Sequence, residues 1–391
     1  MERIIHTLLD NDLYKLTMGQ AVFHNFADID AGFKFINRAK TEFPNGFGQK
    51  LQEQVDLMAD LSLTEQQRKF LEVGCPYLAA DYLNWFSKYR FSPEEVSIKQ
   101  DGGDLSVDIE GPWHKAIYWE VPLMATISEL YFQETGQPPV EGWQEKASKK
   151  AQIFLANGAR YLEFGTRRRA SYFVHDELIS ILKRDGGASL LGTSNVELAM
   201  KYDLSPKGTF AHEWVQGLSG IYGVERANQM AMEIWAKEFN GSLATALTDT
   251  YTTDNFLKSY TSEKAAIFKT LRQDSGNPEA WTDKIINHIQ NKLGLNPMDF
   301  TALYSDALDI PRALEILKYN EGRINTLFGI GTNFTNDVGR IPLNMVIKMF
   351  HITKPQSLDQ IAVVKLSDDL GKISGDKSIV RETLERLGLA A

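Results

Sequence analysis

The sequence predicts an α/β protein in two parts, with a mixed α and β region followed by alternating strands and helices. Its 391 residues suffice for two or three domains, or for one barrel with an accessory domain. Hydrophobic residues at 43% and charged residues at 24% are ordinary globular values, which excludes a disordered or fibrous chain. After about residue 155, short apolar runs recur every 20 to 35 residues or so, as successive β/α units of a parallel sheet do. This spacing fits an open doubly wound sheet and a closed barrel equally.

The first 150 or so residues predict the mixed region. Apolar residues at helical spacing predict a helix over 13–26, for which Asp10, Asn11 and Asp12 offer N-caps. Alternation predicts strands over 33–36 and 105–109, and further helices are expected over 52–61, 64–73 and 121–132. The prolines at 138 and 139 indicate a joint to the next part.

The second part predicts strands that end in small or polar residues. The apolar runs are 188–192, 209–211, 244–248, 268–272, 301–304 and 325–329. Polar residues at the carboxyl ends of parallel strands are where α/β barrels place their sites. A further strand over 361–366 and a short helix close the chain.

Charge and cysteine content exclude several classes of protein. The net charge of −9 disfavours nonspecific binding to nucleic acid or membranes. The single Cys75 cannot form an internal disulfide, and no zinc framework is present. The N-terminus is unlike a secretory signal, and no apolar run of about 18 residues exists to span a bilayer. These features predict a cytoplasmic protein in a reducing compartment.

Three consecutive arginines follow Phe164-Gly165-Thr166. We expect Thr166 to cap a helix over 170–182, which places the arginines in its first turn, where the helix dipole disfavours cations unless an anion is bound. Arg167 is then the candidate for contact with a phosphate or carboxylate. The alternative is a solvated basic turn, and Arg168 and Arg169 can be surface or structural residues.

Two further motifs have both structural and functional interpretations. Residues 194–197 fit an S-x-x-E capping box, so Ser194 is either a helix cap or part of a site. His212 lies at the end of the expected strand 209–211 and is not a zinc-protease histidine, because the second ligand position holds Gln216. It is either a hydrogen-bonded, half-buried imidazole or a base or phosphoryl acceptor.

Carboxylates close several of the expected strands. Arg272 and Asp274 alternate and point the same way, whereas Asn277 and Pro278 are explained as a helix start. The other strand ends carry Asp249, Asp306 and Asp309. Several such carboxylates around one sheet indicate ribose hydroxyls or Mg²⁺ held with substrate phosphates. The glycine-containing loop 328–333 suits phosphate binding through backbone N–H groups, and no P-loop motif occurs.

Taken in order, these motifs resemble the nicotinate phosphoribosyltransferase family in its bacterial form. The matching segments are DLYKLTM at 12–18, EFGTRR at 163–168, GTSN at 192–195, GT at 208–209 with HEW at 212–214, LTDTY at 247–251, Arg272 with DSG at 274–276 and Pro278, and FG at 328–329 with GT at 331–332. The resemblance implies a type II phosphoribosyltransferase fold. It comprises an N-terminal α+β domain over 1–135 that the segment 345–391 rejoins, and an irregular parallel α/β barrel over 136–344.

The resemblance also implies a reaction. Nicotinate and 5-phosphoribosyl 1-diphosphate give nicotinate mononucleotide and diphosphate, the first step of NAD biosynthesis from nicotinate. ATP hydrolysis is coupled through a phosphohistidine at His212, with Mg²⁺ accompanying the phosphorylated substrates. The implied catalytic residues are His212, Arg272 and Asp274, with Asp274 and Asp306 near the metal. The implied substrate-binding residues are Tyr14, Phe164, Thr166, Arg167, Ser194, Asp249, Ser305, Asp306, Gly329, Gly331 and Thr332.

Within this resemblance Tyr14 and Phe164 stack on the pyridine ring, and Tyr14 comes from the partner subunit of a homodimer. Relatives that use nicotinamide carry Asp at the position of Ser194. An Asp there would repel a carboxylate, so the serine of this chain favours the acid substrate. Three alternatives remain at this stage. The substrate can be nicotinamide or quinolinate, the protein can be a β/α-barrel lyase with Lys207 as its Schiff-base lysine, or it can be a noncatalytic nucleotide sensor.

Overall fold

The computed structural model describes residues 2–355 and 359–389. The strands are β1 Asp30–Asn37, β2 Val96–Asp101, β3 Asp104–Pro112, β4 Tyr161–Glu163, β5 Leu190–Thr193, β6 Thr245–Leu247, β7 Thr270–Gln273, β8 Thr301–Tyr304, β9 Asn325–Ile330, β10 Met345–Thr353 and β11 Gln360–Ala362.

Helices separate most of these strands. They are α1 Leu13–Asn25, α2 Phe47–Met58, α3 Glu65–Gly74, α4 Ala80–Phe86, α5 Trp113–Ala116, α6 Glu120–Glu134, α7 Trp143–Ala156, α8 Tyr172–Gly186, α9 Val196–Lys201, α10 His212–Tyr222, α11 Ala227–Glu238, α12 Thr253–Ser259, α13 Ser262–Ile267, α14 Pro278–Asn287, α15 Ile310–Tyr319, α16 Thr332–Thr335 and α17 Lys377–Arg386. Within the described ranges, none of these helices is both long and apolar enough to cross a membrane.

The chain divides into two units. The first contains residues up to 208 together with 330–348, and the second contains 209–329 together with the residues from 349 onward. The domain boundaries expected from the sequence, 1–135 with 345–391 and 136–344, stay a prediction.

An antiparallel sheet characterises the first unit. β3 pairs with β1 on one side and β2 on the other, with Phe33 opposite Ile109 and Val107 opposite Ile98. The alternating side chains of β3, including Leu105, Val107 and Ile109, are buried, as expected for a sheet with one face on a core. This unit also contains the parallel pair β4 and β5.

A parallel sheet characterises the second unit, in the order β6-β7-β8-β9. Its central apolar side chains are buried, as the continuous apolar runs predict for a sheet covered on both faces. Leu271, Ala302 and Phe328 each have no exposed surface. The prediction of alternating strands and helices around a parallel sheet is therefore confirmed.

One predicted strand is wrong. Residues 209–211 form an irregular segment that leads into α10, so His212 is the first residue of a helix rather than the end of a strand. The segment is held instead by Thr209, whose Oγ1 donates a hydrogen bond to Thr245 O (2.9 Å). Likewise the expected strand 361–366 shortens to β11, and the end helix extends over Lys377–Arg386.

Candidate active site

In the first unit, the buried carboxylate of Glu120 connects two side chains expected to bind the pyridine ring. Tyr14 Oη donates to Glu120 Oε2 (3.3 Å), and Arg167 Nη1 donates to Glu120 Oε1 (3.2 Å). Lys15 Nζ lies 2.7 Å from the same carboxylate. Burial alone would raise the pKa of Glu120, but Lys15 and Arg167 lower it to about 2, so this carboxylate is ionised.

This arrangement fixes an aromatic ring beside a cation. The guanidinium carbon of Arg167 lies 5.9 Å from the centroid of the Tyr14 ring, within cation–π range. Both residues belong to the same chain, so Tyr14 has hydrogen-bond and ring contacts without a second subunit. Its predicted contribution to a partner's site stays a prediction.

The turn that carries Phe164 is held by a buried carboxylate of its own. Glu163 accepts hydrogen bonds from Gly165 N (2.5 Å) and Thr193 Oγ1 (2.6 Å), and its Oε2 lies 3.0 Å from His175 Nε2. A Cβ on Gly165 would lie 2.2 Å from the Thr335 side chain, so no larger residue fits there. The backbone on both sides of Phe164 is therefore closely determined.

The expected cap at Thr166 is wrong. Thr166 begins a short 3₁₀ turn, whereas α8 begins six residues later behind Ser171, whose side chain accepts from Val174 N. The arginines thus precede the helix. The physical reason is Arg169, which is extended and fully buried and donates to both carboxylate oxygens of Asp10 (2.6 and 2.8 Å). Arg169 is structural.

The capping box at Ser194 is also wrong. Asn195 is the N-cap of α9 and accepts from Leu198 N (3.0 Å), which leaves Ser194 outside the helix. Ser194 Oγ instead donates to Asp12 Oδ1 (2.7 Å). Burial raises the pKa of Asp12, although hydrogen bonds and the nearby Arg167 oppose this shift. The sequence indicated Asp12 as a possible cap and as part of the segment 12–18, and it did not predict this contact.

The second unit brings His212 together with the residues around Asp274. His212 Nε2 lies 3.1 Å from Asp274 Oδ2, and its Nδ1 lies 2.9 Å from Thr250 Oγ1. Arg272 Nη2 donates to Asp274 Oδ1 (3.1 Å), and so does Ser305 Oγ (2.6 Å). The pair at 272 and 274, predicted from alternation, therefore shares one side of the strand end.

Electrostatics set the charge states in this cluster. Burial lowers the pKa of His212 to about 4, and the positive charge of Lys365 adds to the effect. Burial alone would raise the pKa of Asp274, but Arg272 and His212 bring it well below its ordinary value. The imidazole is thus neutral beside an ionised carboxylate. Asp274 accepts from Nε2–H, which leaves the lone pair on Nδ1, where the Thr250 hydroxyl donates.

Two more carboxylates lie in the second unit, each beside a lysine that sequence reasoning missed. Asp249 is fully buried, with Lys365 Nζ 3.4 Å from its Oδ2, and Asp306 forms an ion pair with Lys372. No local pattern marks these lysines, which lie 116 and 66 residues further along the chain. Asp309 is separate from the cluster, since it caps α15 and accepts from Arg312 N (2.9 Å).

The predicted phosphate loop begins later than expected. Gly329 lies within β9, so the loop starts at Gly331, and Thr332 begins the short helix α16. A Cβ on Gly331 would lie 3.1 Å from Phe164 O, so the two backbone segments approach closely. In the described ranges, no group of three or more His, Cys, Asp or Glu side chains is arranged as a metal site.

The predicted site residues thus fall into two clusters. The first unit holds Tyr14, Phe164, Thr166, Arg167, Ser194, Gly331 and Thr332, and the second holds His212, Asp249, Arg272, Asp274, Ser305, Asp306 and Gly329. We call them the pyridine cluster and the histidine cluster.

Two family models and several known proteins match this chain over most of its length. The family model described as "Nicotinate phosphoribosyltransferase (NAPRTase) family" matches residues 159–389, and the model of its N-terminal domain matches residues 9–128. The nicotinate phosphoribosyltransferase of Desulforapulum autotrophicum is 44% identical over 95% of this chain and 96% of that protein. The corresponding enzyme of Chromohalobacter salexigens is 42% identical over 99% of both.

Solved structures of the same family superpose closely on this chain. The crystal structure of nicotinate phosphoribosyltransferase from Porphyromonas gingivalis superposes with a TM-score of 0.96 at 40% identity, covering 98% of this chain and 100% of that one. The Vibrio cholerae structure gives 0.91 at 30% identity, over 100% and 95%. The chain belongs to the nicotinate phosphoribosyltransferase family. The predicted α/β fold is confirmed, and the lyase alternative is excluded.

Proposed function

We propose that this chain forms nicotinate mononucleotide and diphosphate from nicotinate and 5-phosphoribosyl 1-diphosphate, coupled to ATP hydrolysis through transient phosphorylation of His212. The observation that carries the proposal is the neutral, buried imidazole of His212 beside the ionised Asp274. A neutral imidazole has the lone pair that phosphoryl transfer requires. The activity belongs to the salvage route of NAD biosynthesis.

The pyridine cluster supports nicotinate as the substrate. Nicotinate is flat and carries one carboxylate, and Arg167 offers a guanidinium that can pair with that carboxylate. Glu120 holds Arg167 by a hydrogen bond, which lowers the entropy lost when this side chain binds a ligand. Ser194 contributes a hydroxyl rather than a second carboxylate beside Asp12, so a carboxylate substrate meets less repulsion.

The histidine cluster supports transfer of the ribosyl group. Departure of diphosphate leaves an oxocarbenium-like centre at C1, and the pyridine nitrogen is a weak nucleophile. Catalysis therefore rests on positioning and on stabilising the charge of the leaving group. Arg272 supplies a cation, Asp274 supplies an acceptor for ribose hydroxyls, and Ser305 holds both side chains by hydrogen bonds.

Magnesium fits this cluster as an ion that arrives with the phosphorylated substrates. Mg²⁺ is usually bound by one or two carboxylates together with substrate phosphates, and Asp274 and Asp306 are two such carboxylates with partly exposed side chains. When bound there, the ion would neutralise charge on the leaving diphosphate. Asp249 is fully buried and paired with Lys365, so we assign it to the support of the cluster.

Phosphorylation of His212 supplies the link to ATP. The lone pair on Nδ1 attacks the terminal phosphorus of ATP, the bond to ADP breaks, and the later attack of water on the phosphohistidine releases phosphate. Thr250 must give up its hydrogen bond to Nδ1 when this nitrogen reacts. A phosphoryl group on Nδ1 changes the charge of an imidazole whose Nε2 faces Asp274, which couples ATP cleavage to the affinity for substrates and product.

We also propose that the enzyme is a homodimer with active sites shared between its subunits, where Tyr14 serves the partner. The proposal follows from the family position of this tyrosine. Within its own chain, Tyr14 donates a hydrogen bond to Glu120. Co-expression of two inactive variants, one of Tyr14 and one of Arg272, tests this proposal by complementation.

A product assay tests the proposed function. Purified protein is offered nicotinate, nicotinamide or quinolinate with 5-phosphoribosyl 1-diphosphate and Mg²⁺, with and without ATP, and nucleotides are separated by chromatography. We expect nicotinate mononucleotide as the main product and a marked stimulation by ATP. A main product from nicotinamide or quinolinate would contradict the substrate assignment, and the absence of any mononucleotide would favour a noncatalytic sensor.

The role of His212 is tested with His212→Asn. This variant is expected to lose the stimulation by ATP and the acid-labile label from γ-³²P-ATP, while slow ATP-independent transfer remains at high substrate concentration. The matched control is His6→Asn, since His6 is exposed and lies outside both clusters. Stimulation of His212→Asn equal to that of the parent would refute the assignment.

A further inference from the structure

The segment 363–374, here called the C-terminal strap, returns to the histidine cluster within the second unit. Two backbone hydrogen bonds join Lys365, near its start, to Ser374 at its end. Lys365 N donates to Ser374 O (2.9 Å), and Ser374 N donates to Lys365 O (3.0 Å). Leu366 N donates to Thr250 O (2.9 Å), next to the hydroxyl that faces His212. The strap is therefore a closed loop attached to the residues that surround the histidine.

Asp368 and its hydrogen-bond partners also hold the strap in place. The carboxylate of Asp368 accepts from Thr253 N (2.8 Å) and Thr253 Oγ1 (2.5 Å), and Asp368 N donates to Ser275 Oγ (3.0 Å). Ser275 Oγ in turn donates to Asp249. The position of the strap is thus coupled by hydrogen bonds to a carboxylate of the cluster.

The two lysines of the strap differ in exposure. The side chain of Lys365 is 4% exposed and faces the fully buried Asp249, which makes this a sealed pair. The side chain of Lys372 is 25% exposed and pairs with Asp306, which is 20% exposed. Lys372 Nζ also donates to Asp274 O (2.8 Å), so it lies at the accessible edge of the cluster.

We propose that Lys372 is a binding residue for the diphosphate group of the phosphorylated substrate, with Asp306 holding its charge when no substrate is bound. This inference rests on the proposed function and adds a cation to it that no motif predicts. An ammonium group is a common phosphate ligand, and it has three donors, of which Asp274 O and Asp306 use two. A diphosphate that approaches Asp306 with its metal meets this ammonium at the same edge.

The test is a calorimetric titration of the full chain with inorganic diphosphate in the presence of Mg²⁺. Lys372→Met is expected to raise the Kd at least ten-fold, and Lys372→Arg, which keeps the charge, is expected to stay within about three-fold of the parent. Lys377→Met is the matched control, because Lys377 is an exposed lysine at the start of α17. An unchanged Kd in Lys372→Met, or an equal loss in Lys377→Met, would overturn the proposal.

Steady-state kinetics separate binding from a merely structural effect. Lys372→Met is expected to raise the KM for 5-phosphoribosyl 1-diphosphate at least ten-fold and to leave the KM for nicotinate within about two-fold. A parallel rise of both KM values, without rescue by Lys372→Arg, would assign the lysine to the support of Asp306 and refute the proposal. The titration reports on diphosphate binding even if the product assay finds no turnover, so failure of the proposed function is distinguishable.

Discussion

Replacement of Arg169 by Met is expected to destabilise the first unit severely, although Arg169 lies only two residues after Arg167 of the pyridine cluster. Its guanidinium has no exposed surface and donates to both oxygens of Asp10. Burial alone would raise the pKa of Asp10, but Arg169 holds it below its ordinary value, so this carboxylate is charged in the folded protein. The substitution leaves that charge buried without its main partner.

The size of the effect follows from this geometry. Removal of one partner of a buried ion pair costs about 3 to 5 kcal/mol, whereas loss of a partly exposed charge costs about 1 kcal/mol or less. Arg168→Met is the matched control, because Arg168 is adjacent in sequence and half-buried. At about 2 to 4 °C per kcal/mol, the Tm of Arg169→Met is expected to fall by roughly 6 to 20 °C.

The assay is urea unfolding followed by circular dichroism, with Asp10→Asn and the double variant completing the cycle. The double variant Asp10→Asn/Arg169→Met is expected to be more stable than Arg169→Met alone, because it no longer buries the Asp10 carboxylate without its partner. Equal losses of unfolding free energy in Arg169→Met and Arg168→Met would refute the reasoning. A double variant that loses more unfolding free energy than its two single variants together would also refute it.

Three further predictions concern the two clusters. Ser194→Asp places a second carboxylate beside Asp12 and is expected to lower kcat/KM for nicotinate at least ten-fold; an unchanged value would show that Ser194 does not contribute to the choice of substrate. Co-expression of Tyr14→Ala with Arg272→Ala is expected to restore about a quarter of parent activity, since half of randomly assorted dimers are heterodimers and each has one intact site. No recovery with heterodimers present would mean that each chain builds its own site. Because burial lowers the pKa of His212 to about 4, below its unfolded value, its contribution to stability is present above about pH 6.5 and lost as the pH falls through 4. The free energy of unfolding of the parent relative to His212→Gln should therefore fall by roughly 3 kcal/mol between pH 7 and pH 4, and a constant difference would contradict the shift.

The parallel strands of the second unit were predictable because their sequences are locally distinctive. β8 matches the predicted run 301–304 to the residue, and β9 extends it by one residue at Ile330. A strand buried on both faces is built from a short apolar run, and the turn residues on either side set the length that distinguishes it from a helix. β4 was missed because it has only three residues and ends in the charged Glu163, whose burial depends on Thr193 and His175.

The site was predictable only where its residues are close in sequence. Arg272 lies in β7 and Asp274 directly follows the strand on the same side, so alternation alone places them together. Glu120, by contrast, meets Tyr14 across 106 residues, and Lys372 meets Asp306 across 66. Such contacts are produced by tertiary folding and leave no trace in local spacing. The caps at Thr166 and Ser194 failed for the same reason, because Asp10 and Asp12 engage Arg169 and Ser194 instead.

The sealed pair of Lys365 and Asp249 has a consequence for the order in which the protein is made. Asp249 is synthesised 116 residues before Lys365, so a nascent chain has an anion without its cation until the strap has been synthesised. A chain that ends prematurely before the strap would bury an uncompensated carboxylate next to His212 or leave that region open. Synthesis of the strap therefore supplies the counter-charge of Asp249, and products truncated before it are expected to be substrates for proteolysis rather than partly active enzymes.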